Sequence, residues 1–354
     1  MKYKKCYLKL YLNNNLGDDL FAKIISEKYP NTKFVIASYV NQKSNFTNIK
    51  VITGFCFRAV NKILKILTNK KVTIENILAK KYKRTLVLGG SLFIEGKSGD
   101  YKELEKSEEY YIIGTNFGPY KTDKYIDYCK EIFENADYVC FRDKTSYELF
   151  KNLKNKNITY APDIVYGLDT KNINITNNKK ALISIIDCKR KLDESYQEKY
   201  EEKIIDLIYY FQARNYEVVL MSFCKKENDE VEIERILDKL NLKAREKISK
   251  YYYDGDIKEA LNVIGDCRVV IGSRFHANIL GLILDKTIIP VIYSDKTINA
   301  LKDINFKGKI IDIRKLDEFK VEELKEEDLT YKVDVSEEKK LAKKHFELLD
   351  KIFK

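Results

Sequence analysis

Short apolar runs alternate along the whole chain with longer stretches in which apolar residues recur every three or four positions. Short apolar runs read as buried strands, and the longer spacing reads as amphipathic helices. In the first half this predicts strands at 6–12, 34–38, 85–88, 110–114 and 138–141. A helix is expected to run from the turn after the first strand to Lys28, and another over 144–153. Residues 45–82 are Lys-rich and only partly helical in pattern, and 158–168 closes this half. The Asn/Lys/Thr-rich stretch 169–180 reads as a linker. The second half restarts with strands at 181–186, 217–221, 269–271, 288–292 and 309–313. Helices are expected over 198–214, 229–240, 257–264 and 277–284, and from Lys296 onward. This alternation predicts an α/β protein of two doubly wound domains, 1–168 and 181–335, facing each other across a cleft. At 336–354, Ser336 would cap an amphipathic helix with Leu341, His345, Leu348 and Ile352 on one face, His345 being structural.

At 354 residues the chain is long for one core, which agrees with two domains. The net charge of +11 is spread along the chain and is not gathered in a tail. A solvated Lys-rich surface accounts for most of it, and it is compatible with anionic ligands or an anionic membrane face. No zinc finger, RNA-binding signature or basic aromatic tract is present, so nucleic acid is not expected as a partner. Cysteines at 6, 56, 129, 140, 188, 224 and 267 are odd in number and form no C-x-x-C pair. Reduced, buried thiols in a cytoplasmic protein follow, and neither a disulfide framework nor a metal site. No run reaches membrane-span length, and Lys9 interrupts the first apolar run, so no signal peptide is read.

One stretch concentrates candidate chemistry: Val269-Val270-Ile271-Gly272-Ser273-Arg274-Phe275-His276-Ala277-Asn278, which holds one of only two histidines. Gly272 is expected to end the strand and Ser273 to cap the helix, placing Arg274 and His276 on its first turn. Unpaired N–H groups and the helix dipole favour an anion there, beside an Arg fork and a His able to donate a proton. The plain alternative is an Arg and a His that only cap and pack. Earlier, Asn15, Gly17 and Asp18 follow the first strand, and Gly17 suits a backbone that must approach something closely. An ordinary strand-to-helix turn would look the same. Gly89-Gly90, Gly118 and Arg142-Asp143 stand at the ends of successive strands, the edge of a parallel sheet where ligands bind.

Taken together, these motifs resemble the polysaccharide pyruvyl transferase family over about residues 13–306. The resemblance rests on Asn15-Leu16-Gly17-Asp18-Asp19, Leu88-Gly89-Gly90, Gly114 to Pro119, Phe141-Arg142-Asp143 with Ser146, and Pro162-Asp163. Its sharpest part is Gly272-Ser273-Arg274-Phe275-His276-Ala277 followed by Pro290-Val291-Ile292-Tyr293-Ser294-Asp295-Lys296. Ser273, and Ser91 after Gly89-Gly90, depart from the pattern of many members. The resemblance implies two Rossmann-like domains of GT-B type. It implies transfer of pyruvate from phosphoenolpyruvate onto a sugar of a cell-surface polysaccharide or its precursor as a ketal, with phosphate released and no metal or organic cofactor. It also implies roles for Arg274 and His276 in phosphoenolpyruvate binding and catalysis.

Such chemistry needs cations for a carboxylate and a phosphate, a proton donor, and a base for the hydroxyls. Arg274 is expected to make a bidentate contact with a carboxylate or phosphate, His276 to act as general acid or as a phosphate-side donor that helps the leaving group, and the helix N-terminus at Ser273 to bind phosphate. Arg142 and Lys296 are expected as further cations, though a helix-capping Arg and a solvent-facing Lys are the plain alternatives. Asp163, ahead of Asp18, is the expected base. Asn15, Gly17, Gly89, Gly90 and Gly118 would shape the acceptor side. The acceptor is expected to be a sugar or a lipid-linked or nucleotide-linked glycan; a lipid-linked one would bring the protein to the inner face of the membrane as a peripheral partner. A GT-B glycosyltransferase using a nucleotide sugar is the competing enzyme, and a non-catalytic binding homologue is the competing non-enzyme.

Overall fold

The computed structural model describes residues 4–38, 44–69, 72–96, 101–155 and 157–354. The chain forms two compact units. One comprises the chain to Asn13, Leu20–Gly167 and Lys340–Lys354; the other comprises Asn14–Asp19 and Leu168–Lys339.

The first unit is built on β1 (Lys4–Lys9), β2 (Thr32–Ala37), β3 (Ile49–Ile52), β4 (Arg84–Leu88), β5 (Glu109–Thr115), β6 (Tyr138–Phe141) and β7 (Ile158–Tyr160). All its ladders are parallel, in the order β3-β2-β1-β4-β5-β6-β7. Its helices are α1 (Leu16–Lys28, whose first turn groups with the other unit), α2 (Phe55–Leu67), α3 (Ile74–Tyr82), α4 (Asp123–Asn135) and α5 (Lys144–Phe150). Strand order reverses between β1 and β4, so ligands are expected at the C-terminal ends of those strands. Central strands are continuous apolar runs because both faces are covered: Leu86, Val87, Ile112, Ile113 and Val139 are fully buried. Phe93, Phe133, Phe141 and Phe150 pack edge to face and stacked beneath them.

The second unit repeats the plan with β8 (Lys180–Ser184), β9 (Glu217–Ser222), β10 (Ile248–Tyr252), β11 (Val269–Gly272), β12 (Thr287–Ile292) and β13 (Ile311–Asp312). Its order is β10-β9-β8-β11-β12-β13, again parallel, with the reversal between β8 and β11. Its helices are α6 (Cys188–Lys191), α7 (Gln197–Ala213), α8 (Asp229–Lys239), α9 (Leu242–Arg245), α10 (Ile257–Gly265), α11 (Phe275–Ile283) and α12 (Asp295–Asp303).

The tail is not one helix. It breaks into α13 (Ser336–Leu341), a tighter turn over Ala342–Phe346, and α14 (Glu347–Phe353). From Lys340 onward it packs on the first unit. Tyr138 donates its hydroxyl to the Lys344 carbonyl at 2.7 Å, and Tyr29 donates to Asp350 at 2.7 Å. The six described thiols, at 6, 129, 140, 188, 224 and 267, are free and buried. Among the described residues no helix is long and apolar enough to cross a membrane, and no cluster of side chains is arranged to hold a metal.

Candidate functional site

The Arg-Phe-His turn leaves β11 at the strand reversal of the second unit. One local expectation is borne out and one is corrected. Gly272 ends the strand from inside it, as the last rung of β11, level with Ser184 and Pro290. Ser273 does not cap α11; Arg274 takes the cap position with extended backbone, and the Ser273 hydroxyl sits 3.1 Å from Tyr200 Oη in the core. The turn is held from both sides. The Arg274 N–H donates to Ser184 Oγ at 3.1 Å, and Asn278 Nδ2 donates to the carbonyls of Gly272 and Arg274 at 2.9 and 3.2 Å. Gly272 makes room for this, since a Cβ there would fall 2.1 Å from Asn278 Oδ1.

Arg274 is buried and its fork is engaged: Nη1 donates to Glu227 and Nη2 to Asp229. Its Nε is buried with no hydrogen-bond partner among the described residues. Burial disfavours the guanidinium charge, but Asp229 and Glu227 outweigh it and raise its pKa. Asp229, the first residue of α8, also accepts from the N–H groups of Phe223 and Cys224 at 2.9 Å each, and burial pushes its carboxyl up. Glu227 accepts from Lys191 Nζ at 2.6 Å. Burial pushes Glu227 up, yet Arg274 and Lys191 together hold it down to about 2, so it is ionised at neutral pH.

Lys296, in the first turn of α12, stands with its ammonium 5.8 Å from the ring centroids of both Phe275 and Tyr293. Burial raises the Tyr293 phenol, but Lys296, Lys191 and Arg274 more than offset it and leave it below its ordinary value. A phenol drawn down in spite of burial reports a positive field at its oxygen.

The Asn15 turn belongs to this same unit. Asn15 bridges Cys224 in antiparallel sense, and the Leu16 N–H donates to the Phe223 carbonyl at 3.0 Å. Asn15 Oδ1 accepts from the Gly17 N–H at 3.1 Å. Gly17 lies against the half-buried His276: a Cβ on Gly17 would fall 2.0 Å from Nδ1 and 2.7 Å from Cε1 of the ring. Asn15 and Gly17, expected to shape the acceptor side, and Asp18, the second candidate base, all expected with the first domain, group with the Arg274–His276 unit instead, because this segment pairs with the chain after β9. Asp19, which the motif reading passed over as a site residue, is buried and accepts from Tyr253 Oη at 2.7 Å. Burial pushes its carboxyl up to about 6, against the Tyr253 bond that lowers it. Its signal was in the sequence: Asp19 shares the helix face of Leu16 and Leu20, an acid on an apolar stripe.

In the first unit, Arg142 follows β6 and is buried, so neither a surface position nor helix capping describes it. Asp143 caps α5, accepting from the Ser146 N–H at 2.8 Å. Arg142 donates to Asp163 Oδ2 at 2.8 Å and to Asn116 Oδ1 at 2.7 Å. Asp163, the expected base, has its other oxygen accepting from the Val165 N–H at 2.9 Å. His345 closes the group, its Nε2 bonding the Pro162 carbonyl at 2.8 Å. Gly90 lies flat on Arg142, where a Cβ would fall 2.4 Å from Nη1. Gly89 and Gly118 carry positive φ of 146° and 93°. The Asn116 N–H donates to the Gly90 carbonyl at 2.9 Å, and the Gly118 N–H to the Phe93 carbonyl at 2.8 Å. The expected residues thus form two groups, one in each unit, each with a glycine pressed on a cationic or titratable ring or fork.

Two parallel Rossmann-like sheets, each with a polar constellation at the C-terminal ends of its strands, define a GT-B-like scaffold. A glycosyltransferase from Rickettsia africae ESF-5 superimposes with TM-score 0.54 at 14% identity, covering 100% of this chain and 98% of that one. Alr3699/HepE of Anabaena, solved with UDP and glucose, superimposes with TM-score 0.52 at 8% identity over 98% and 96% of the two chains. The chain belongs to the polysaccharide pyruvyl transferase family, whose model matches residues 15–295. It is similar to the amylovoran biosynthesis protein AmsJ of Erwinia amylovora, 19% identical over 87% of this chain and 75% of that protein. The family is one of transferases in polysaccharide biosynthesis.

Proposed function

We propose that the protein moves pyruvate from phosphoenolpyruvate onto two hydroxyls of a sugar in a cell-surface polysaccharide or its precursor, forming a ketal and releasing phosphate. The observation that carries this reading is His276 two residues beyond the buried cation Arg274, at the strand reversal of the second unit, in a chain of this family. The donor brings a carboxylate and a phosphate. Arg274, Lys191 and Lys296 supply three cations against the two acids Glu227 and Asp229. The ion pairs with Glu227 and Asp229 preorganise Arg274, so little ordering remains when a substrate anion arrives.

His276 gives a proton to the methylene carbon of the donor as a sugar oxygen bonds to C2. That hydroxyl proton passes to a base, and the tetrahedral adduct carries methyl, carboxylate, phosphate and sugar oxygen. The C2–phosphate bond then breaks with its electrons on phosphate, and a neighbouring hydroxyl closes the ketal. Its proton leaves with phosphate, and the base hands the first hydroxyl's proton back to His276, so that over the cycle one hydroxyl proton replaces the one His276 gave to the methyl group and the other ends on the product phosphate. Asp19 suits the base: it lies two residues past Gly17, and a carboxyl titrating at about 6 is matched to neutral pH. Asp163 suits holding Arg142, which would grip a second anionic group. No step calls on a metal or organic cofactor.

Calorimetry with phosphoenolpyruvate tests the reading. Wild type is expected to bind, Arg274→Ala to lose binding, and His276→Ala to bind near normally while losing turnover. Heat with a nucleotide sugar and none with phosphoenolpyruvate, with or without acceptor, would overturn it in favour of glycosyl transfer.

A further inference from the structure

Helix α2 of the first unit has a buried side and an apolar exposed side. Phe57 and Asn61 are buried, and Asn61 Oδ1 accepts from the Ile74 N–H at 2.9 Å, fixing the start of α3. The opposite side carries Phe55, Ile63, Ile66 and Leu67, exposed by 79, 54, 67 and 77%, with Val60 beside them. Phe55, Ala59, Ile63 and Ile66 follow helical spacing, so these side chains form one continuous apolar arc. Arg58 and Lys62, both exposed, run along one border of that arc, with Lys65 next to them. The helix contains no acidic residue, and Arg58 and Lys62 make no ion pair among the described residues. On α3, which packs against α2, Ile77 is exposed as well.

We infer that α2 is a membrane-docking helix that lies in the headgroup layer of an anionic phospholipid bilayer. Charge complementarity selects the bilayer as occupant. An apolar arc edged by cations with no acid is the pattern of an interfacial helix, whose apolar side enters the acyl boundary while Lys and Arg meet lipid phosphates. A chain with an excess of 65 Lys+Arg over 54 Asp+Glu adds long-range attraction to the same surface. The helix starts just past the C-terminal end of β3, on the sheet edge that also carries Gly89 and Gly90. Docking would bring that edge to the lipid surface, where an acceptor carried on a lipid would present its sugar.

The inference stands whether or not phosphoenolpyruvate is the donor, because its test needs no substrate. The full-length protein is floated with vesicles of equal phosphatidylglycerol and phosphatidylcholine, and with phosphatidylcholine alone. Wild type is expected to float with the anionic vesicles, less so as salt rises, and weakly with the neutral ones. Ile63→Glu/Ile66→Glu changes only outward side chains, so its circular dichroism and melting should match wild type while vesicle binding falls about tenfold or more. Arg58→Glu/Lys62→Glu should weaken binding to the anionic vesicles by about fivefold for each charge removed. Three results would each overturn the inference: wild type failing to float, Ile63→Glu/Ile66→Glu floating as well as wild type, or equal binding to neutral vesicles. Light scattering adds a fourth, a wild-type dimer that Ile63→Glu/Ile66→Glu converts to monomer, which would assign the face to a second copy of the chain.

Discussion

Gly17 and His276 are fitted to one another at a single missing atom. A methyl on Gly17 would fall 2.0 Å from the ring nitrogen Nδ1. The ring is the end of a movable side chain, so Gly17→Ala is expected to fold and to push His276 out of place. Displacing a proton donor by about 1 Å costs on the order of a hundredfold in rate. Steady-state kinetics on Gly17→Ala should show turnover reduced to that extent with the urea midpoint shifted little.

The ion pair of Arg274 with Asp229 predicts the reverse balance. Asp229→Ala leaves a buried guanidinium half-paired and two N–H groups without an acceptor. Loss of one partner of such a pair costs about 3–5 kcal/mol. Urea unfolding should report a loss in that range, with Asp229→Asn intermediate because it keeps an oxygen for the N–H groups.

Asp19 and His345 make opposite demands on pH. The Asp19 carboxyl is held at about 6 by burial, from an ordinary 3.8. Between those values the folded chain keeps a proton the unfolded chain has lost, so this group's contribution falls as pH rises from about 4 to 6, by on the order of 3 kcal/mol. Asp19→Asn should remove that slope from a series of urea midpoints. If Asp19 is the base, kcat/KM of wild type should rise through the same pH range and fall sharply in Asp19→Asn.

His345 is depressed from 6.5 to about 4, first by burial and also by Arg142, against the carbonyls of Pro162 and Ala161 and the charge of Asp163. Here the unfolded chain binds the extra proton. Stability present above about pH 6.5 is therefore lost as pH falls toward 4, again by on the order of 3 kcal/mol. His345→Gln should lessen the acid sensitivity of the urea midpoint while lowering it at neutral pH.

Gly90→Ala would place a Cβ 2.4 Å from Arg142 Nη1, against a fork fixed by Asp163 and Asn116. Overpacking of this kind costs about 1–3 kcal/mol. Differential scanning calorimetry should show a lower Tm than for Gly17→Ala, whose neighbour can turn away.

The strands that the apolar pattern places are those buried on both faces, such as β4, β6 and β11. It misses β3 and β10, each the edge strand of its own sheet; Ile248–Tyr252 is nowhere fully buried and reads as neither run nor alternation. It also misses α2, because the helix directs much of its apolar surface outward and a search for an inward stripe finds only Phe57 and Leu64. Arg274 and His276 were legible from local spacing, but their surroundings were not. Glu227 and Asp229 stand 47 and 45 positions from Arg274, and nothing along the chain marks a pairing over that distance. The same holds for Gly17: the need for close approach was readable, and the partner, His276, was not.

The hexapeptide Asn14–Asp19 has a further consequence for the path of the polypeptide. The chain passes between the units four times, after residues 13, 19, 167 and 339. A gene fragment for 168–339 would encode Arg274, His276 and Lys296 but not the residues that wall in the imidazole. The unit that holds the histidine is completed by codons far upstream in the reading frame, so a fragment beginning at 168 would present His276 without the Gly17 backbone that lies against its ring.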